Sequence, residues 1–199
     1  MNWVAPLPRS TGTTIIPTSI PHLNDEQTHA VSEIESGLHR FAVWLLHGIT
    51  GSGKTEVYLR VIATALEHNK QVLVLIPEIN LTPQLESIFR GRFNAFPIIN
   101  LHSGLNDTER LSGWLEAQRG QARIILGTRL ALFTPLPHLG LIIVDEEQDH
   151  AFKQQDGLRY SARDMAIFRA RQHHIPVILG SATPSLETFH NALRGRYRH

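Results

Sequence analysis

The run Gly48-Ile49-Thr50-Gly51-Ser52-Gly53-Lys54-Thr55 carries the residue types and spacing needed to cradle a phosphate chain. It fits G-x-x-x-x-G-K-[ST], a loop whose backbone amides surround phosphates. Glycines 48, 51 and 53 permit backbone angles that a Cβ would forbid, so successive N–H groups can turn inward. A helix beginning near Gly53 adds its unpaired amides and the positive end of its dipole. Lys54 brings a point charge to the β- and γ-phosphates, and the Thr55 hydroxyl is a ligand for Mg²⁺. Gly48, Thr50, Gly51, Ser52, Gly53, Lys54 and Thr55 are therefore the candidate nucleotide-binding residues, with ATP or ADP and Mg²⁺ as the cofactors. An accidental glycine turn ahead of a helix is the bland alternative, and the flanking sequence argues against it.

A second group lies downstream. Leu141-Ile142-Ile143-Val144 runs into Asp145-Glu146-Glu147, an apolar strand that delivers carboxylates at its carboxyl end. Beside a P-loop, one such Asp holds Mg²⁺ and a neighbouring carboxylate positions the attacking water. Asp145 takes the metal through a water molecule, because Mg²⁺ keeps much of its hydration shell. Glu146 orients the nucleophile and helps to deprotonate it. Lys54, Asp145 and Glu146 form the candidate catalytic set. An exposed acidic turn after a strand has the same sequence, and the P-loop upstream is what favours catalysis. Gly180-Ser181-Ala182-Thr183 leaves a later apolar run in the same way. Its small hydroxyl residues either link the acidic site to a moving part or simply cap the next helix.

Placing these groups requires strands and helices in alternation. Ala42-Val43-Trp44-Leu45-Leu46 reads as a buried strand ahead of the P-loop, and Tyr58, Val61, Ile62, Ala65 and Leu66 follow it at the spacing of a helix face. Five more apolar runs, at 72–76, 97–101, 123–126, 141–144 and 176–179, are short and continuous, as in strands buried on both faces. Helical patterns separate them. One presents Leu111, Trp114 and Leu115, a second starts at Ser161 with Ala162, Met165 and Ala166, and a third covers about 185–193. The alternation predicts an α/β domain with a mainly parallel sheet and ligands at the carboxyl ends of its strands. Asn24 precedes a helix with Ala30, Val31, Ile34 and Leu38 on its apolar face, and Gln27 stands at capping-box spacing from it. Residues 1–22, rich in Pro, Thr and Ser, read as a linker or extended arm, with Trp3 either a docking peg or an exposed aromatic. The compact domain is expected over 23–199.

Composition bounds the rest. A chain of 199 residues with 42% hydrophobic content supports one sizeable core. Nineteen basic against eighteen acidic side chains leave a charge of +1, which says nothing for or against a nucleic-acid partner. The absence of cysteine excludes disulfides and thiolate metal sites and suits a reducing compartment. There is neither an 18-residue apolar run nor a basic-then-apolar leader, so no membrane segment is expected, and the cytoplasm is the expected location. The twelve histidines form no H-E-x-x-H and read as scattered surface residues, so no zinc is expected.

The series Gln27, 48–55, 145–148 and 181–183 resembles the first motor lobe of a superfamily 2 helicase. The stretches between resemble, within that superfamily, the primosomal replication-restart helicases. These are Pro77-Glu78-Ile79-Asn80-Leu81-Thr82-Pro83-Gln84, Leu101-His102-Ser103-Gly104-Leu105-Asn106 with Glu109-Arg110, and Gly127-Thr128-Arg129. Phe152-Lys153-Gln154-Gln155-Asp156-Gly157 with Arg159-Tyr160 and Ala162-Arg163-Asp164 completes the set, and the match runs from about Leu23 to the last residue. The resemblance implies a RecA-like, three-layer P-loop NTPase fold. It also implies a DNA-dependent ATPase and 3′-to-5′ DNA helicase, acting in replication restart and primosome assembly at stalled forks. In such helicases the residue matching Gln27 reads adenine, while Gln148, Ser181 and Thr183 match the coupling positions. The loop matching 152–160 is aromatic-rich and reports bound DNA to the ATP site. Phe152 and Tyr160 have stacking faces, and Lys153 and Arg159 carry charge for phosphates. Thr82, Ser103, Thr128 and Arg129 match positions that touch the DNA backbone, although the hydroxyls could equally cap helices.

Two departures stand out. The family usually has His where this chain has Gln148; Gln still bridges by hydrogen bonds but carries no charge. The family usually has Gly where Asn80 stands, and Asn is the next most tolerant residue of a left-handed turn. The implied partners are forked and single-stranded DNA, single-strand-binding protein and primosome proteins. The second helicase lobe, the zinc-binding cysteines and the N-terminal DNA-binding domain are not in the sequence, which reads as one lobe of a longer protein. That lobe is expected to bind nucleotide and hydrolyse it slowly. The rival readings are a motor lobe of an RNA helicase or restriction-type translocase, and a P-loop module that does not translocate.

Overall fold

A computed structural model describes residues 20–199. The expected arm over 1–22, with Trp3, lies outside the described residues except for 20–22, which have no regular structure. Asn24 caps α1 (Asp25–Ser36) with a complete capping box. β1 (Ala42–His47) leads through the P-loop into α2 (Lys54–Glu67). Then come β2 (Gln71–Leu75), α3 (Pro83–Arg92), β3 (Ile98–Leu101), α4 (Asp107–Gln118) and β4 (Ile124–Gly127). β5 (Leu139–Asp145) carries the acidic motif, and a short hairpin of β6 (Lys153–Gln154) and β7 (Tyr160–Ser161) follows it. α5 (Ala162–Gln172), β8 (Pro176–Ser181) and α6 (Leu186–Leu193) complete the chain.

The main sheet has six strands in the order β1-β8-β5-β2-β4-β3, every pair parallel. Because successive side chains of a strand point to opposite faces, each buried strand feeds two cores. Val72 and Val74 join α1, α2 and α3 on one side, while Leu73 and Leu75 join α4 and α5 on the other. The result is the three-layer α/β arrangement expected from the sequence.

Two expectations are corrected. The stripe Leu111, Trp114, Leu115 does not form the buried face of α4: Leu111 is 58% exposed and Trp114 36%. α4 packs through Gly113 and Ala117 instead. A Cβ on Gly113 would already lie 3.4 Å from the Leu101 side chain, so the small residues set how closely the helix lies on β3. Asn80 does not occupy a left-handed turn. Its N–H closes a 3₁₀ turn on the Pro77 carbonyl at 2.9 Å, and the left-handed non-glycine residues among those described are Asn69, Glu146 and His174.

Candidate nucleotide site

The P-loop and segments 77–84, 101–106, 127–129, 145–148 and 181–183 lie at the carboxyl ends of the parallel strands, whereas Gln27 is on α1, 152–160 spans the hairpin and 162–164 opens α5. In the P-loop, Gly51 (φ +81°) and Gly53 (φ +84°) take left-handed angles that favour glycine. Gly48 serves a different purpose from the one expected. Its φ is ordinary, but a Cβ there would meet the Ser52 hydroxyl at 2.5 Å. α2 begins at Lys54 with no side-chain cap, which leaves its first amides for a ligand. The Gly48 N–H donates to the Ser181 carbonyl at 3.1 Å and ties the loop to the end of β8. Lys54 Nζ donates to the Gly48 carbonyl at 2.7 Å, so the ammonium lies against the P-loop backbone.

Gln27 reaches this loop from α1. Its Oε1 accepts from the Asn24 N–H at 3.0 Å, as the capping box requires, while its Nε2 donates to the Ser52 carbonyl at 2.8 Å. One amide thus caps a helix and clasps the P-loop. A cavity of about 810 Å³ opens alongside, lined by Gln27, Trp44, Ser52, Lys54 and His199 among others.

The acidic motif is held more tightly than its sequence suggests. Asp145 ends β5 and pairs in register with Gly180 on β8. Its Oδ1 accepts from the Tyr58 hydroxyl at 2.9 Å. Burial raises the Asp145 carboxyl above the ordinary Asp value; the Tyr58 hydrogen bond pulls it back, Glu146 pushes it up again and Lys54 opposes. Burial, with Asp145 alongside, raises the Tyr58 phenol well above its usual value, so this hydroxyl stays a donor. Glu146 then turns left-handed (φ +51°). Its Oε2 accepts from Gln148 Nε2 at 2.8 Å, Gln148 Oε1 accepts from Ser181 Oγ at 2.6 Å, and Ser181 Oγ accepts from the Thr183 N–H at 2.9 Å. The neutral Gln148 therefore bridges Glu146 to the Ser181–Thr183 segment.

Sequence reasoning missed Glu147, Arg163, Ser185 and Thr188. Glu147 is 2% exposed, and its carboxylate accepts from the Ser185 N–H (2.7 Å), Arg163 Nη1 (3.0 Å) and Thr188 Oγ1 (3.0 Å). Burial works against the Arg163 charge, but hydrogen bonds to Asp164 and Glu147 outweigh it and raise its pKa. This cluster joins the end of β5 to the starts of α5 and α6. The sequence signals were a third carboxylate after a strand and the place of Arg163 in the matched Ala162-Arg163-Asp164 stretch, neither of which assigns a contact.

The remaining candidates divide. Thr82 caps α3, its hydroxyl accepting from the Leu85 N–H at 3.3 Å. Ser103 bonds to Glu78, Thr128 is buried, and Arg129 Nη1 donates to the Ala151 carbonyl at 3.1 Å. Phe152 offers no stacking face: it is 2% exposed, because its ring fills the core beneath α5. Tyr160 is half-buried and packs edge-on against Phe133, with ring centroids 5.2 Å apart. Phe133 is the exposed aromatic here, at 52%. Lys153 and Arg159 are exposed beside Tyr160 around an open hollow of about 660 Å³.

The donor set suits Mg²⁺. Thr55 offers a hydroxyl and Asp145 its second oxygen, while phosphates and water would complete the shell. No cluster of three or more metal-ligating side chains occurs among the described residues.

The profile described as "DEAD/DEAH box helicase" matches residues 24–192. The Replication restart protein PriA of Haemophilus influenzae is 54% identical over 179 residues, 89% of this chain and 24% of that protein. The protein of that name from Bacillus subtilis is 45% identical over 88% of this chain and 22% of its own length. The chain thus spans about a quarter of the length of the curated relatives it matches. Among solved structures, RecG bound to a three-way DNA junction aligns over 88% of this chain and 23% of its own, with a TM-score of 0.63 and 22% identity. The DEAD-box helicase Mss116, bound to single-stranded RNA, aligns over 88% of this chain and 38% of its own, with a TM-score of 0.64 and 17% identity. At such identities these two alignments concern the fold alone. The P-loop facing an acidic strand end, the RecA-like sheet and a profile match over most of the chain have one meaning: the chain belongs to the DEAD/DEAH box helicase family.

Proposed function

We propose that residues 23–199 are the ATP-binding motor lobe of a DNA-dependent ATPase, a 3′-to-5′ DNA helicase acting in replication restart and primosome assembly at stalled forks. The observation that carries this reading is the division of the sheet. The β1-β8-β5 half bears Lys54, Asp145, Glu146 and the Gln148–Ser181 link, whereas the β2-β4-β3 half bears Thr82, Ser103, Thr128 and Arg129. The hairpin with Lys153, Arg159 and Tyr160 follows directly from the acidic strand.

In this reading the P-loop amides and Lys54 hold the triphosphate of ATP, and Gln27 contacts the adenine. A Mg²⁺ held by Thr55 and, through water, by Asp145 would offset charge on the phosphates. Glu146 orients the attacking water and accepts its proton, and Gln148 passes its position to Ser181 and Thr183. Residues 1–22 serve as an arm. The second lobe, the N-terminal DNA-binding domain, single-strand-binding protein and primosome proteins act as partners in the longer protein. A cytoplasmic location fits; no helix among the described residues is long and apolar enough to cross a membrane.

The test is steady-state ATP hydrolysis by the longer protein, comparing forked DNA, plain duplex and single-stranded RNA at one salt concentration. Strong stimulation by forked DNA with little from RNA is expected. Equal stimulation by RNA would overturn the DNA assignment, and no stimulation by any nucleic acid would leave a P-loop ATPase without a track.

A further inference from the structure

Tyr58 lies one turn into α2, three residues after Thr55, and is 2% exposed. Its ring belongs to the core under the P-loop helix, which accounts for an aromatic there but not for a hydroxyl. The hydroxyl crosses to the sheet and donates to Asp145 Oδ1 at 2.9 Å. It passes through space that β8 leaves empty: a Cβ on residue 180 would lie 1.6 Å from the Tyr58 oxygen and 2.8 Å from the ring carbon bearing it. Gly180 does not take a left-handed angle, so its lack of a side chain serves clearance rather than backbone freedom. The Tyr58 hydroxyl, the glycine that admits it and the carboxylate that receives it form one built contact.

We propose that Tyr58 is a positioning residue for the cation site. Its hydroxyl holds Asp145 by Oδ1, turns Oδ2 to the metal side and fixes that carboxylate relative to the Thr55 hydroxyl on the same helix. The inference rests on the Mg·ATP reading above. A hydrogen bond between α2 and β5 locks the separation of the two residues that would hold the ion, one directly and one through water. Mg²⁺ demands near-ideal octahedral geometry, whereas Ca²⁺ accepts irregular shells. Loosening Asp145 should therefore cost Mg²⁺ more than Ca²⁺.

The experiment measures binding of the non-hydrolysable analogue AMP-PNP to the full chain by calorimetry, in EDTA and across Mg²⁺ and Ca²⁺ titrations. Tyr58→Phe keeps the ring and removes only the hydroxyl. It is expected to bind the analogue normally in EDTA, while the Mg²⁺ concentration for half-maximal tightening rises several-fold, short of the roughly tenfold or more lost with partners of direct metal ligands because Asp145 acts through water. The Ca²⁺ curve should shift less. In an Asp145→Asn background, Tyr58→Phe should change nothing further, because the hydroxyl acts through that carboxylate. An unchanged Mg²⁺ curve, an equal loss in EDTA or an additive effect in the Asn background would each overturn the proposal. If the unsubstituted chain binds no AMP-PNP under any condition, the nucleotide reading falls and takes this inference with it.

Discussion

Gln27 shows how one side chain can answer to two demands. As a cap residue it satisfies the Asn24 amide, and as a clasp it holds the Ser52 carbonyl, so α1 and the P-loop share a single amide group. Lys54 is simpler. In the proposed nucleotide site its charge would meet phosphate by charged hydrogen bonds of about 1.5–3 kcal/mol. Lys54→Ala should weaken AMP-PNP binding by about tenfold to a hundredfold, as read by calorimetry, with little change in thermal stability. Glu147 and Arg163 belong to the opposite category, since the Glu147 carboxylate is buried and the Arg163 guanidinium covers it. Arg163→Met leaves a buried carboxylate without its cation and should cost about 3–5 kcal/mol in urea denaturation. The double variant Glu147→Gln, Arg163→Met should recover much of that loss, and a strictly additive result would contradict the pairing.

At the level of elements, the hairpin after β5 sits between a packed aromatic, Phe152, and an exposed one, Phe133, from the turn after β4. Phe152 anchors it from below, so Phe152→Ala should lower stability by about 3–5 kcal/mol, like other buried Phe truncations. Phe133→Ala should leave stability nearly unchanged and weaken single-stranded DNA binding by about 1–3 kcal/mol, the worth of one stacked base. Denaturation and fluorescence anisotropy on the same two variants distinguish the roles, and the reverse pattern would return stacking to Phe152. The strands were legible from sequence because parallel strands buried on both faces leave continuous apolar runs. The P-loop and acidic motif were legible because their chemistry demands fixed spacing. What stayed hidden depends on contacts through space. Tyr58 reads as one more core position until Gly180 is seen beneath its hydroxyl, and Phe152 and Phe133 look alike until one is buried. Leu111 and Trp114 misled for a related reason: helical periodicity marks an apolar stripe, but Gly113 and Ala117 allow the closer approach.

For the molecule as a whole, the strand order gathers Lys54, Asp145 and Ser181 at the ends of β1, β5 and β8, and in the proposed reading a second lobe of the longer protein closes over them. Related phosphoryl-transfer sites gain about 10³–10⁵ in rate from an arginine supplied across such an interface. ATP turnover by this chain should therefore lie roughly that far below turnover by the longer protein. Rapid DNA-stimulated hydrolysis by this chain alone would show that the arginine lies within it.

The strand order also governs how the chain comes to be folded. β1 pairs with β8 on one side and, on the other, among the described residues exchanges hydrogen bonds only with Arg198. On the ribosome, Val43, Trp44 and Leu45 emerge long before either neighbour, whereas β2, β3, β4 and β5 are all made before β8 and can pair with one another first. The P-loop strand thus waits as an unpaired apolar edge, the kind of nascent segment that invites wrong partners and chaperone attention. Pairing so distant in sequence is slow. The P-loop, whose Gly48 amide is tied to Ser181, is then the last feature to mature and the first lost when translation stops early.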